Sequence, residues 1–252
     1  MELKNSVIAI TGAGQGLGQS MAISLAQAGS HLALIDLNSQ GLEETLRACT
    51  DFDTNIKLYC ADVTDEQDVE ATFERIVDDF GQLNGLVNNA GILRDGLLVK
   101  SKDGVISKMP LEQFTSVINV NLTGTFLCGR EAAAKMIETG CAGVILNISS
   151  VARAGNIGQT NYAASKAGVA TFATTWSREL AKYNIRCAAI APGVIKTPMA
   201  AEMRPEAIER LEAMIPCHRM GETSEIANTV KFIFENDYVN GRVIEVDGGI
   251  RM

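Results

Sequence analysis

The stretch Val7-Ile8-Ala9-Ile10-Thr11-Gly12-Ala13-Gly14-Gln15-Gly16-Leu17-Gly18 runs a short apolar segment straight into a glycine-rich turn, and an amphipathic segment follows. Glycines let a backbone turn sharply and come close to a pyrophosphate, and the start of the next helix offers unpaired N–H groups and a positive dipole end. The spacing Gly12-x3-Gly16-x-Gly18 is not the G-x-G-x-x-G form, and tight packing alone can also call for glycine. Its place between strand and helix argues for a dinucleotide turn built from Gly12, Gln15, Gly16, Leu17 and Gly18.

Outward from this turn, short apolar runs alternate with helical patterns. Val7–Thr11, His31–Asp36, Lys57–Ala61, Gly85–Asn88, Gly143–Ser149, Arg186–Ala191 and Val243–Val246 read as strands, apolar on both faces. Gly16–Ala28, Ser39–Cys49, Glu66–Phe80, Leu111–Glu138, Asn161–Tyr183 and Ser224–Phe234 read as helices. The alternation predicts an α/β fold, a Rossmann-type doubly wound parallel sheet of about seven strands, in one dinucleotide-binding catalytic domain over 1–252. Two stretches break the rhythm. At 97–108, Asp103-Gly104 between two short apolar runs predicts a β-hairpin insertion with a tight primed turn. At 193–216, proline-punctuated helical pieces predict a lid over the ligand crevice; Met199, Met203 and Met214 make it apolar, or simply pack helices.

Composition narrows the function classes. Hydrophobic residues make up 46% and charged residues 21%, which describes a globular chain and not a disordered one. The net charge of −8 and the lack of a dense Lys/Arg run argue against nucleic acid and against a basic membrane-surface patch. No run is long enough for a membrane span or a leader. The six cysteines form no C-x-x-C motif, so no metal site is expected, and free thiols point to the cytoplasm.

The second strand ends at Asp36. A carboxylate there can accept hydrogen bonds from the adenosine ribose hydroxyls and repels a 2′-phosphate; no Arg or Lys in Ala13–Leu17 or Leu37–Asn38 offsets it. This predicts NAD (NADH) over NADP, the alternative being a helix cap or turn residue. Asp62-Val63, after the third strand, either meets the adenine edge or caps the next helix.

Tyr162 and Lys166, four apart in a helical pattern, project from one face. Tyrosine is a poor base near its ordinary pKa of about 10, and a nearby ammonium favours the phenolate. The pair thus suits proton exchange with a carbonyl or alcohol oxygen. Asn147-Ile148-Ser149-Ser150 and Asn88-Asn89-Ala90-Gly91 end two strands on the side where such a crevice lies, and a serine there can bind the substrate oxygen.

With Thr11–Gly18, Asn88–Gly91, Asn121, Ser150, Tyr162, Lys166 and Pro192-Gly193 in this order, the chain resembles the short-chain dehydrogenase/reductase family over essentially its whole length. Gly155–Lys166 is most similar to bacterial 3-oxoacyl thioester reductases, in particular those that use an acyl carrier protein. The resemblance implies an oxidoreductase that interconverts a carbonyl and a secondary alcohol. In it Tyr162 is the general acid/base, Lys166 binds the nicotinamide ribose and lowers the tyrosine pKa, and Ser150 orients the substrate oxygen. Asn121 holds a water that leads from Lys166 to solvent. Asn89, Ala90, Gly91, Pro192, Gly193, Ile195 and Thr197 line the dinucleotide, Thr197 at its carboxamide. A homotetramer is implied as well. Ser149 is the competing hydroxyl, and Asn121 could simply kink its helix.

The chain departs from those reductases in three places. It is longer between Gly91 and Asn121, where the hairpin is predicted. The segments Glu138–Ala142 and Lys182–Asn184 hold only one basic residue, Lys182, which leaves little to attract an acidic carrier protein and leaves a coenzyme A thioester or simple ketone open. Arg153 stands near Ser150, either to bind an anion or to form a surface salt bridge. A sugar alcohol or steroid-like ring is a second substrate class. A catalytically idle dinucleotide sensor would lack Tyr162 and Lys166, and a hydrolase would need a G-x-S-x-G elbow that is absent.

Overall fold

The computed structural model of the chain describes residues 1–197 and 205–251. Seven parallel strands lie in the order β3-β2-β1-β4-β7-β8-β9. They are β1 (Val7–Thr11), β2 (His31–Asp36), β3 (Ile56–Cys60), β4 (Gly85–Asn88), β7 (Gly143–Ile148), β8 (Ile185–Pro192) and β9 (Val243–Val246). The helices are α1 (Gly16–Gln27), α2 (Ser39–Ala48), α3 (Glu66–Phe80), α4 (Leu111–Ile118), α5 (Thr125–Glu138), α6 (Thr160–Glu179), α7 (Pro205–Met214) and α8 (Thr223–Glu235). Strand order reverses between β1 and β4, which opens a crevice at their carboxyl ends.

Because strand side chains alternate, each strand feeds two cores. Ile8, Ile10, Leu32 and Leu34 pack with Met21 and Leu25 of α1 and with Ile226, Val230 and Phe234 of α8. Val7, Ala9, Ala33 and Ile35 pack on the other side with Phe73 and Ile76 of α3 and Leu127 and Met136 of α5. Double-sided burial explains the near-continuous apolar runs of the sequence.

The hairpin forms as expected: β5 (Val99–Lys102) pairs with antiparallel β6 (Val105–Lys108). Asp103 at φ 51° and Gly104 at φ 78° make the two-residue turn with positive φ at both positions that matches strand twist.

Two expectations need correction, and a third falls partly outside the described residues. The continuous helix 111–138 is broken by a π-helical turn, Asn119–Gly124, because the Asn121 side chain is held from outside the helix. The helix expected to reach Tyr183 ends at Glu179, followed by a 3₁₀ turn, Ala181–Tyr183, that Asn184 closes at φ 57°. Of the lid at 193–216, residues 198–204, with Met199 and Met203, lie outside the described residues; α7 follows, and Met214 at its end is exposed.

Gly85 shows how closely the first core is filled. A Cβ there would lie 2.6 Å from Phe234 Cε1 and 3.1 Å from Ile8 Cγ1. Gly85→Ala is therefore expected to cost about 1–3 kcal/mol through overpacking. A urea unfolding curve would read this as a lower midpoint at unchanged slope; an unchanged midpoint would mean that α8 shifts freely on the sheet.

Candidate active site

The crevice is closed at its base by the link between β1 and β4. Thr11 Oγ1 accepts hydrogen bonds from Asn89 N at 3.0 Å and Ala90 N at 3.1 Å. Asn89 Nδ2 donates back to Thr11 O at 3.1 Å and Gly12 O at 3.0 Å. This approach is why residue 12 is glycine: its φ is +64°, and a Cβ would lie 2.9 Å from Ala90 Cα. Gly18 is as constrained, since its Cβ would fall 2.0 Å from Gly12 O. Gln15 precedes α1 without capping it through its side chain, and the first turn carries no acid, so the leading N–H groups face the crevice without a competing carboxylate. Leu17 packs against the first core.

Asp36, half-buried at the end of β2, accepts from Gly14 N at 2.9 Å through Oδ2 and from Asn38 N at 2.9 Å through Oδ1. It is thus also a brace for the glycine turn, a duty the sequence reading did not anticipate. Each oxygen keeps a further lone pair. The cap of α2 is Asn38, which accepts from Gly41 N. Asp62 does not cap α3 either: Asp65 does, accepting from Gln67 N and Asp68 N. Asp62 Oδ1 instead accepts from Thr64 N and Thr64 Oγ1, each at 2.8 Å. Val63 lies against the π turn, where a Cβ on Gly124 would meet its Cγ2 at 2.9 Å.

Lys166 reaches the crevice from α6 and is almost fully buried. Its Nζ donates to Ile148 O at 2.8 Å, and burial pushes its pKa down to about 8. The ammonium stands 5.7 Å from the centre of the Tyr162 ring. Gly91 lies beside it: a Cβ there would be 3.5 Å from Nζ and 3.2 Å from Asn121 Oδ1. Asn121 Oδ1 accepts from Ile92 N at 2.8 Å, while Nδ2 donates to Ile92 O at 3.0 Å and Ser165 Oγ at 3.2 Å.

Ser149 and Ser150 separate cleanly. Ser149 Oγ donates to Lys166 O at 2.7 Å and is buried, so it ties β7 to α6. Ser150 Oγ accepts from Ala152 N at 3.1 Å and lies near enough to the Tyr162 phenol to act on it. Burial raises the phenol pKa above the usual tyrosine value; the Ser150 hydroxyl opposes that shift, and the Asp95 carboxylate adds to it. The net direction is upward, opposite to the fall that a neighbouring ammonium alone would give. In the protein alone, loss of water around the phenol outweighs other influences, and the ammonium is directed to Ile148 O.

On the far wall, β8 ends at Pro192, and Gly193 N donates to Val246 O at 2.9 Å. Buried Ile195 bridges to Gly221, and Thr197 is the last described residue on this side. Arg153 takes the salt-bridge alternative: Nη2 meets Glu245 Oε1 at 2.6 Å, and Nη1 donates to Ser150 O at 3.3 Å.

Sequence reasoning missed Asn161 and Asp95. Buried Asn161 donates through Nδ2 to Arg94 O at 2.9 Å and Gln113 O at 3.2 Å, and its Oδ1 accepts from Tyr162 N. It anchors the segment before the hairpin to the start of α6. Asp95 accepts from Gln159 Nε2 at 3.2 Å. A polar residue at the first turn of the Tyr162 helix was the available signal for Asn161; for Asp95 there was none.

The buried ammonium predicts a pH effect on stability. Folding lowers the Lys166 pKa from 10.5 to about 8, so the unfolded chain binds more protons between those values. The parent chain should therefore gain stability relative to Lys166→Met as pH rises from 8 towards 10.5, by up to about 3 kcal/mol. Below pH 8 the difference should level off. Unfolding midpoints of both proteins across this range test it; parallel curves would show that the ammonium is hydrated.

Comparison with known proteins places this arrangement. A family model described as enoyl-(acyl carrier protein) reductase, of the short-chain dehydrogenase/reductase group, matches residues 12–251. The 3-oxoacyl-[acyl-carrier-protein] reductase of Thermotoga maritima is 39% identical over 99% of this chain and 99% of its own length. The (3R)-3-hydroxyacyl-CoA dehydrogenase of Homo sapiens is 34% identical, covering 99% of this chain and 97% of its own. The crystal structure of levodione reductase superposes with a TM-score of 0.85 at 35% identity, covering 98% and 97% of the two chains.

Proposed function

This chain belongs to the short-chain dehydrogenase/reductase family of NAD(P)(H)-dependent oxidoreductases, and on that footing we propose that it interconverts a 3-oxoacyl thioester and its 3-hydroxy form with NAD(H), using Tyr162 as general acid/base. The observation that carries the reading is the meeting of three groups: the Tyr162 phenol, the Ser150 hydroxyl beside it, and the Lys166 ammonium 5.7 Å from its ring on the same helix face. A glycine-lined cradle stands beside them, in which side chains at residues 12, 18 and 91 would crowd the neighbouring backbone or polar groups.

The residues suited to hold the dinucleotide are Gly12, Gln15, Gly16, Leu17 and Gly18 at the pyrophosphate, Asp36 at the adenosine ribose, and Asp62 and Val63 at the adenine. Asn89, Ala90, Gly91, Pro192, Gly193, Ile195 and Thr197 line the rest. When bound, the nicotinamide supplies or accepts the hydride. Ser150 orients the carbonyl oxygen, and Tyr162 gives it a proton in reduction and removes one in oxidation. The raised pKa keeps the phenol protonated and ready to donate. Lys166 holds the ribose and, with Asn121 and a water, returns protons from solvent. Asp36 supports NAD over NADP because a carboxylate there opposes a 2′-phosphate, and its bonds from Gly14 N and Asn38 N hold it in place.

The thioester is supported by likeness to two relatives named for acyl carrier protein and coenzyme A substrates. Levodione reductase, whose name carries no thioester, favours a free ketone as the second reading. Residues 1–252 would act as one catalytic unit in a cytoplasmic homotetramer. Six free cysteines support a reducing compartment. The half-covered aromatic cluster of Phe126, Phe172 and Trp176 on α5 and α6 supports a subunit contact there. No described helix is long and apolar enough to cross a membrane.

Two measurements test the proposal. Tyr162→Phe should keep dinucleotide affinity and lose at least about 100-fold in turnover of acetoacetyl thioesters; near-parental turnover would reject the assigned acid. NADH should bind at least about tenfold tighter than NADPH by fluorescence titration, and Asp36→Ala should narrow that ratio while weakening both. Equal affinities in the parent would remove Asp36 from cofactor choice.

A further inference from the structure

The β5–β6 hairpin has no assigned role. Both strands are exposed along their whole length, and they carry Lys100, Lys102 and Lys108 against a single carboxylate, Asp103. In a chain of net charge −8 this finger is a local positive lobe. None of the three ammoniums forms an ion pair among the described residues, where Arg130, Arg153, Arg219 and Arg251 all do. Leu98, Val99 and Ile106 lie alongside them, each more than half exposed.

The finger is tied to the candidate active site at its base. Gly96 N donates to Gly158 O at 2.8 Å, Asp95 accepts from Gln159, and Asn161 holds Arg94 O, all immediately before Tyr162. After Gly96 the chain bends at Leu98, and β5 begins at Val99, three residues beyond the tie. A basic, partly apolar arm therefore starts within a few residues of the segments that hold the Tyr162 helix.

We infer that this hairpin binds the phosphorylated handle of a coenzyme A thioester, its apolar residues along the pantetheine and Lys100 and Lys102 at the phosphates, with Lys108 adding to the local positive charge. The inference rests on the thioester reading above. Lys100 and Lys102 share one face with Val105, and Lys108 lies on the other with Val99 and Ile106, so two ammoniums two residues apart are offered on one side. Such a pair suits a compact polyphosphate. A broad acidic protein would meet the rest of this acidic surface as well, since screening is incomplete within a Debye length of about 8 Å. A phosphate group within contact of the ammoniums is governed by the local charge instead.

The test compares the parent with K100Q/K102Q/K108Q on acetoacetyl-coenzyme A, on acetoacetyl-N-acetylcysteamine, which lacks the phosphates, and on an acetoacetyl acyl carrier protein. The variant should raise KM for the coenzyme A ester at least about tenfold and leave kcat, and kcat/KM for the truncated ester, within about twofold. The parent's kcat/KM for the coenzyme A ester should fall with salt more steeply than the variant's. K100R/K102R/K108R should restore most of the affinity. An unchanged KM for the coenzyme A ester overturns the inference. So does an equal loss on both small esters, or a loss confined to the carrier-protein ester, which would make an acidic protein the partner. A dissociated assembly by light scattering with a common loss would assign the hairpin to a subunit contact. If the parent reduces no thioester, truncated or whole, the thioester reading itself falls; turnover of the truncated ester by both proteins preserves that reading even where the hairpin inference fails.

Discussion

A single ammonium withdrawn from water governs how the site is built. Lys166 is almost fully buried, and its Nζ bonds to one backbone carbonyl, Ile148 O, at the end of β7. Burying a charge with so few partners is unfavourable, which its lowered pKa expresses. The surrounding contacts hold it there. Ser149 bonds the backbone of Lys166, Asn121 is clamped to Ile92 and Ser165, and Gly91 leaves the space into which both side chains project. The π turn belongs to the same constraint, since it is where Asn121 leaves the helical repeat to meet Ile92.

The dinucleotide side follows a different logic, that of close backbone approach. Reversal of strand order at β1 and β4 leaves a crevice, and the Thr11–Asn89 bonds draw its two rims together until only glycine fits at residue 12. Asp36 at the end of β2 braces the glycine turn by accepting from Gly14 N. Any substitution there changes the shape of the glycine turn together with its electrostatics.

The hairpin adds a contrast of charge. The body is acidic, and several of its arginines meet carboxylates in surface networks such as Arg153–Glu245–Arg251. The lysines of β5 and β6 stand outside those networks, on an element that the main cores do not need. An element outside the main cores and joined to the residues before Tyr162 invites a role in what enters the site.

Much of this was legible in the chain itself. Apolar runs of strand length between helical periods dictate a parallel sheet covered on both faces, and Asp103-Gly104 dictates a primed turn, because these depend on local sterics and on alternation along the backbone. The i, i+4 spacing of Tyr162 and Lys166 likewise puts them on one helix face. What the linear order could not decide depends on groups brought together from distant segments. Ser149 is directed to the backbone of Lys166, a tie that the sequence alone does not separate from a place at the phenol. Arg153 is matched by Glu245 from the last strand, and Asn121 distorts its helix because Ile92 lies within reach. The phenol's pKa rises where its sequence neighbour suggested a fall, since desolvation is set by everything packed around a group and not by the residue four positions away.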